Sequence, residues 1–311
     1  MSKFLVTGGA GFIGSHISNK LVKDNHFTRI LDNFSSGKMA NLDGITDKVE
    51  IINGDIRSLD DCMKATKGID FVLHQAALRS VPKSMEDPKS YNEVNISGTL
   101  NMLQACRMNN VKRFVLASSS SIYGDVKKFP EKENFLPDPI SPYAFSKLAG
   151  EYYCKIFNLH YGLETVCLRY FNVFGPRQAL DDEYAVVIPK FIHCILHDTP
   201  PPIFGNGKQS RDFTFIDNVV SANILACKGS SCPGRVFNVA SGKDQSILEL
   251  VKILNKITQK NIKPEFLNKR VGDVFRTLAD LTNSKKYLTF NPKVDFVRGL
   301  EITVEYFKAN A

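Results

Sequence analysis

The stretch Phe4-Leu5-Val6-Thr7-Gly8-Gly9-Ala10-Gly11-Phe12-Ile13-Gly14 decides how this sequence folds. A β-rich apolar run ends at Thr7 and leads into glycines at 8, 11 and 14, the pattern of a strand that turns sharply into a helix. Gly8 permits the tight turn, Gly11 lets the main chain approach a diphosphate, and Gly14 lets the helix lie close to the strand. The first N–H groups of such a helix have no intrahelical partner and favour an anion, which makes Phe12 and Ile13 part of the expected cradle.

Working outward, short apolar runs recur at Arg29 to Leu31, Val49 to Ile52, Phe71 to His74, Arg113 to Ala117 and Thr165 to Leu168. Helical patterns separate them at Gly11 to Lys23, Ser58 to Thr66, Pro88 to Met108 and Pro142 to Tyr161. This alternation predicts an α/β fold with a doubly wound parallel sheet, whose ligand crevice opens at the carboxyl ends of the strands. Asp32 closes the second strand 18 residues after Gly14, the separation at which a carboxylate accepts hydrogen bonds from an adenosine ribose. Its charge would repel a 2′-phosphate, so the expected cofactor is NAD rather than NADP, bound in a Rossmann-like domain. After Tyr170 the texture changes to longer loops, with Pro200-Pro201-Pro202 and turns at Gly205 and Gly207. We therefore expect residues 1–170 to form the NAD-binding domain, with a return segment at about 212–242 that includes a strand at Arg235 to Val239. Residues 171–211 and 243–311 should form a smaller α/β lobe.

The composition of the 311 residues, 43% apolar and 23% charged, is that of a chain with a sizeable core and excludes intrinsic disorder. The formal charge of +8 comes from dispersed Lys and Arg, with only short pairs such as Lys127-Lys128, so it predicts no nucleic-acid face. A solvated basic surface suits small anionic substrates. Seven cysteines without a CxxC pair, and no His cluster at zinc spacing, predict reduced packing residues and no metal site. No signal-peptide pattern and no run of 18 apolar residues occurs, so a cytoplasmic protein without membrane contact is expected.

Two further stretches carry chemistry. In Ser141-Pro142-Tyr143-Ala144-Phe145-Ser146-Lys147, Ser141 fits an N-cap and Pro142 the first helical position. Tyr143 and Lys147 then share a helix face. Moving a phenol from pH ~10 to ~7 requires about 4 kcal/mol in favour of phenolate, which Lys147 and a positively charged nicotinamide together would supply. The tract Ala117-Ser118-Ser119-Ser120-Ser121-Ile122-Tyr123-Gly124 follows the fifth strand, where a hydroxyl can relay a proton between a substrate alcohol and a phenolate. The set suits oxidation of a secondary alcohol.

With these residues in view, the sequence resembles the extended short-chain dehydrogenase/reductases, and within them the UDP-glucose and UDP-N-acetylglucosamine 4-epimerases. The resemblance spans the chain, through TGGAGFIG at Thr7, LDN at Leu31, GDIR at Gly54, HQAA at His74, SSSSIYGD at Ser118, SPYAFSK at Ser141, LRYFNVFGPRQ at Leu168, SRDFTFIDN at Ser210 and VGDVFRTLAD at Val271. It implies that Tyr143 is the base, Lys147 its activator and ribose ligand, and Ser119 the hydroxyl on the sugar O4. Asn33, Ser36 and Gly37 would border the ribose, and Asp55 and Ile56 would flank the adenine. Gln75, Ala76, Ala77 and Arg79 would line the cofactor path, with Asn95 and Tyr170 or Phe171 on the nicotinamide side. For the nucleotide sugar it implies Ser80, Ser120, Asn172, Val187, Arg211, Arg270 and Asp273. Arginines suit that work because a guanidinium binds phosphate oxygens bidentately.

Dehydratase relatives carry an Asp-Glu pair where this chain has Ser120 and Ser121, so sugar dehydration is not expected. Where the commonest hexose epimerases place a bulky Tyr, this chain has Thr277, which leaves room for an N-acetyl group at C2. The resemblance thus implies C4 epimerisation of UDP-GlcNAc and UDP-Glc. Tyr143 would take the 4-OH proton through Ser119, hydride would pass to NAD⁺, and the 4-keto sugar would rotate before hydride returned to its other face. A UDP-glucuronate 4-epimerase, an oxidoreductase with net NAD turnover and a non-catalytic NAD sensor remain as alternatives. A homodimer through helices near Asn95 to Met108 and Ser146 to Tyr161 is also implied.

Overall fold

The computed structural model describes residues 1–180, 187–268 and 274–310. Its central sheet contains β1 (Lys3–Thr7), β2 (Phe27–Asp32), β3 (Glu50–Asn53), β4 (Phe71–His74), β5 (Arg113–Ser119), β6 (Glu164–Tyr170) and a returning strand, Arg235–Val239. All pairings are parallel, and the order is returning strand, β6, β5, β4, β1, β2, β3. The chain winds outward from β1 to β3 and then crosses back to β4 on the other side of β1. The β1/β4 boundary is therefore the switch point at which such sheets open a ligand crevice.

The period-2 alternation of the strands splits their side chains between two cores. Phe4, Val6, Leu73, Val115 and Leu168 face one side, with Leu5, Val72, Phe114, Leu116 and Cys167 on the other. Helix α1 (Phe12–Lys23) and the helix Ile216–Lys228 cover the first face through Ile17, Leu21, Val219 and Ala222. The other face is covered by α2 (Leu59–Thr66), then, after the short helices α3 (Val81–Glu86) and α4 (Pro88–Tyr91), by α5 (Gly98–Met108) and α6 (Pro142–Tyr161). Both faces are dry, which gives the strands their nearly unbroken apolar character.

One expected helix is divided. Instead of a single helix over 88–108, α4 and α5 are joined by a π-helical turn, Asn92–Ser97. The wider turn carries Asn95 to 3% exposure, where its amide bonds both backbone groups of Leu78 and the Ser146 hydroxyl. That set of bonds is what the regular i→i−4 ladder yields to.

In the second half, short strand pairs join Val173–Phe174 to Thr214–Phe215, Pro202–Phe204 to Glu265–Leu267, and Ser210–Asp212 to Asp244–Ser246. Helices Val187–Leu196, Ile247–Thr258 and Phe296–Ala309 complete this region. Ile188, Phe191, Leu250 and Val304 belong to the same buried cluster as Phe4 and Val6. The lobe and the sheet therefore share one core.

Candidate active site

The glycine turn has the shape of a dinucleotide cradle. Gly8 sits at φ +65°, and a Cβ there would come within 2.8 Å of the Ala76 backbone nitrogen. A Cβ on Gly14 would collide with the Gly8 carbonyl, whereas one on Gly11 would meet only that carbonyl oxygen, at 3.2 Å. Gly8 and Gly14 are therefore forced by main-chain contact, and Gly11 leaves the approach to the helix open. No side chain caps α1, so the N–H groups around Phe12, Ile13 and Gly14 are presented at its mouth.

Asp32, at the end of β2, is 7% exposed and accepts the amides of Ala10 and Phe34, each at 2.9 Å. Those bonds fix the rotamer and leave further lone pairs for ribose hydroxyls. Gly37 closes over it, because a Cβ there would lie 2.9 Å from the Asp32 carboxylate. Asn33 and Ser36 lie exposed on the same loop. Asn33 Nδ2 donates to Asp55 at 2.8 Å, and Arg57 grips the same carboxylate at 2.7 Å, mainly through hydrogen bonds that hold Asp55 far below the usual carboxylate range. Ile56 packs beneath it against Gly98.

The end of β4 and the two residues after it are tied to the neighbouring strand. Buried His74 shares hydrogen bonds with Thr7 Oγ1 (2.8 Å) and Thr99 Oγ1 (3.1 Å), and Thr7 Oγ1 also accepts the Ala76 amide (3.2 Å). Burial pushes the imidazole down to about 3, so this histidine is a neutral structural link. Tyr170 Oη accepts from Asn223 Nδ2 at 2.8 Å, and its one hydrogen faces Gln75 Oε1 (3.2 Å) and Asn223 Oδ1 (3.1 Å). Ala77 is half-buried beside them, and Arg79 is exposed.

Tyr143 sits in the first turn of α6, whose start is set by Ser141 Oγ accepting the Ala144 amide at 3.1 Å. Its phenol hydrogen-bonds Ser119, and its ring meets Tyr91 edge-on at 6.4 Å. Ser119 Oγ in turn accepts the Ser121 amide (3.2 Å) and hydroxyl (2.9 Å), with Ser120 half-buried between them. Ser80, the N-cap of α3, donates its amide to Tyr91 Oη at 3.0 Å, joining that end of the site to Tyr143. Lys147 is 8% exposed, lies 5.9 Å from the Tyr143 ring centroid and donates to the Ala117 carbonyl at 2.9 Å.

The electrostatics separate what the protein groups contribute from what a bound cofactor would add. Burial raises the Tyr143 phenol above its ordinary range, against the opposing pull of the Ser119 hydrogen bond and Arg79. Burial also brings Lys147 down to about 8. The protein groups alone do not make a phenolate, because desolvation outweighs them.

Among the residues expected to hold the nucleotide sugar, the structure joins Asn172 directly to Thr277. Asn172 Nδ2 donates to Thr277 Oγ1 at 3.0 Å and to the Asp212 carbonyl at 3.2 Å, and the Asp212 amide donates to Thr277 Oγ1 at 3.2 Å. Arg211, on the neighbouring strand, donates to the carbonyls of Ser210 (2.8 Å) and Phe275 (3.2 Å). Val187 opens its helix half-buried against the shared core. Arg270 and Asp273 lie outside the described residues.

Two features of this framework escaped sequence reasoning. Arg169 and Glu151 form a bidentate pair at 2.9 and 2.7 Å, with side chains 4% and 6% exposed, and Glu151 also accepts the Ser118 hydroxyl at 2.6 Å. This pair clamps α6 to β5 and β6 directly under Ser119 and Lys147. A strand arginine in an otherwise apolar run was its signal, since a buried guanidinium requires a carboxylate. The second is Asp212, fully buried and raised by burial to about 6, which accepts the amides of Ser241, Gly242 and Ala279.

With this geometry established, the chain can be compared with known proteins. It is 36% identical over 308 residues to a UDP-glucose 4-epimerase of Mycolicibacterium smegmatis, covering 98% of each chain. A solved UDP-N-acetylglucosamine 4-epimerase from Methanobrevibacter ruminantium M1, in complex with UDP-N-acetylmuramic acid, superposes with TM-score 0.96 at 42% identity, covering 100% of this chain and 99% of that one. A UDP-glucuronic acid 4-epimerase from Bacillus cereus, in complex with UDP-glucuronic acid and NAD, gives 0.91 at 34% identity over 99% and 100%. Residues 4–240 match the NAD dependent epimerase/dehydratase family. The parallel sheet, the glycine cradle and these likenesses agree, and the chain belongs to the NAD-dependent epimerase/dehydratase family.

Proposed function

We propose that this protein interconverts the C4 epimers of UDP-hexoses, with UDP-GlcNAc and UDP-GalNAc as the principal pair and UDP-Glc and UDP-Gal also accepted. The observation that carries the sugar preference is Thr277: a small residue whose hydroxyl is held by Asn172 and by the Asp212 amide, at a position where a bulkier side chain would take up more space. The likeness to the UDP-N-acetylglucosamine 4-epimerase supports the same reading.

In this reading the turn at Gly8, Gly11 and Gly14 receives the cofactor diphosphate and Asp32 the adenosine ribose. Gln75, Ala77, Arg79 and Tyr170 would border the nicotinamide half. NAD, when bound, supplies reversible uptake of the hydrogen from C4 and a positive charge beside the site. Tyr143 takes and returns the 4-OH proton, with Ser119 as relay. Lys147 orients the ribose and favours the ionised phenol. Asn172, Val187 and Arg211 hold the nucleotide and leave the sugar free to turn, which epimerisation requires. We further assign a homodimer to the exposed apolar stripe Phe145, Tyr152, Ile156 and Leu159 on α6. No helix among the described residues is long and apolar enough to cross a membrane.

Separate incubations with UDP-GlcNAc, UDP-Glc and UDP-glucuronate, with resolution of the C4 epimers, test the proposal. Conversion of UDP-GlcNAc at least as efficient as that of UDP-Glc is expected. Conversion of UDP-glucuronate alone would overturn it.

A further inference from the structure

Glu131 is a buried carboxyl that the reaction above does not use, and it differs from Asp212 and Glu151 in having an oxygen without a hydrogen-bond partner. It is 2% exposed, and its Oε2 is buried without a hydrogen-bond partner. Its amide donates to the Leu278 carbonyl (2.7 Å) and its carbonyl accepts the Asp280 amide (2.8 Å), so it bridges Ala279 in parallel. Bridge partners direct their side chains to one face of a sheet, and so does the residue two positions away. Glu131 therefore shares a face with Ala279 and Thr277. Asp212 holds two of these residues, accepting the Ala279 amide and donating its own amide to Thr277 Oγ1. Two residues with buried carboxyls are thus bonded to the short segment that carries Thr277.

We propose that Glu131 is a positioning residue of the sugar pocket: it works as an uncharged carboxylic acid beside ionised Asp212, and its ionisation loosens the 277–280 segment and weakens the hold on the nucleotide sugar. The inference rests on the UDP-sugar reading above. Its physical basis is that a second charge there would be desolvated and would face a like charge. A main-chain hydrogen bond from Leu278 favours ionisation of Glu131, as do Arg211 and Arg169, while Asp212 opposes it. The other charged groups packed around them are already engaged: Glu133 with Asn238 and Asn283, Asp244 with Arg276, and Glu151 with Arg169. Tyr123, over which Arg169 lies, donates to Asn238, and Asp280 accepts the Thr282 amide. Burial leads this balance and raises Glu131 to about 8.

The test compares wild type with Glu131→Gln, and with Glu131→Met as an uncharged variant of similar length. KM and kcat for UDP-GlcNAc and UDP-Glc are measured from about pH 6.5 to about 9.5. Wild-type KM should rise up to about tenfold per unit above pH ~8, and the variants should stay flat while all kcat profiles keep one shape. The same alkaline rise in the variants, or a flat wild type, overturns the proposal. Thermal midpoints without substrate form a second arm. A raised carboxyl contributes stability below its unfolded value near ~4.3 that is lost as pH climbs through about 8, so the advantage of Glu131→Gln should widen from pH ~5 to ~8.5. Parallel midpoints refute the inference alone. Absence of turnover with every UDP-sugar, with the widening intact, refutes the substrate reading and the pocket role with it.

Discussion

Gly8 and Gly14 hold their places because any side chain would strike main chain, whereas Asn172 and Thr277 hold theirs through hydrogen bonds to each other across 105 residues of sequence. The dinucleotide half of the crevice is thus shaped by backbone sterics within one strand-turn-helix unit. The half proposed for the nucleotide sugar is shaped by a side-chain network assembled from three distant segments. Sterics of the first kind tolerate no substitution and serve one cofactor. A network of the second kind can be retuned one residue at a time, which fits a family whose members handle UDP-glucose, UDP-GlcNAc and UDP-glucuronate.

The largest effect should fall where the two halves meet. Tyr143→Phe should lower turnover by ~10² to 10⁴-fold with nearly unchanged UDP-sugar affinity. Near-normal epimerisation by that variant would remove the phenol from the chemistry and leave the two halves without a shared catalytic group.

Next comes the clamp beneath both. Arg169→Met leaves Glu151 as an unpaired buried charge and should cost about 3 to 5 kcal/mol in denaturant unfolding, or yield no folded protein. Replacing both partners with apolar residues should recover most of that loss. If the single variant is as stable as wild type, the pair does not clamp α6 to the sheet.

Retuning of the sugar side is tested by Thr277→Tyr. A filled pocket absorbs such volume only with strain of ~1 to 3 kcal/mol, so the specificity constant for UDP-GlcNAc should fall ~10 to 200-fold while that for UDP-Glc is spared. Equal loss for both substrates would mean that position 277 supports the network without gating the sugar.

The smallest effect is expected at Asp32. NADP should bind at least ~10-fold more weakly than NAD, and Asp32→Ala should narrow that gap. Titration of the wild type that finds equal affinities would place the choice of cofactor elsewhere on the loop.

Much of the fold was legible because its signals are local. The strand runs, the glycine spacing, the Ser141 cap and the Pro142 start each depend on neighbours within a few residues, and the observed elements follow them closely. The π turn at Asn92–Ser97 was not legible, because it exists to bring Asn95 onto Leu78 and Ser146. The electrostatic balance at Tyr143 was not legible for a related reason. Spacing shows Lys147 on the same face, but only the packed site shows its Nζ donating to Ala117 and burial dominating the phenol.

The sequence by itself determined the doubly wound parallel sheet, the cradle at Gly8 to Gly14 and the presence of Tyr143 and Lys147 on one turn of helix, since each follows from sterics and periodicity along a continuous segment. Tertiary structure alone decided that Arg169 would find Glu151, that Asn172 would meet Thr277, and that Glu131 and Asp212 would both be bonded to the segment around Ala279. Those contacts join residues far apart in the chain, and the protonation of the groups involved depends on desolvation, a property of the folded interior that no local pattern encodes.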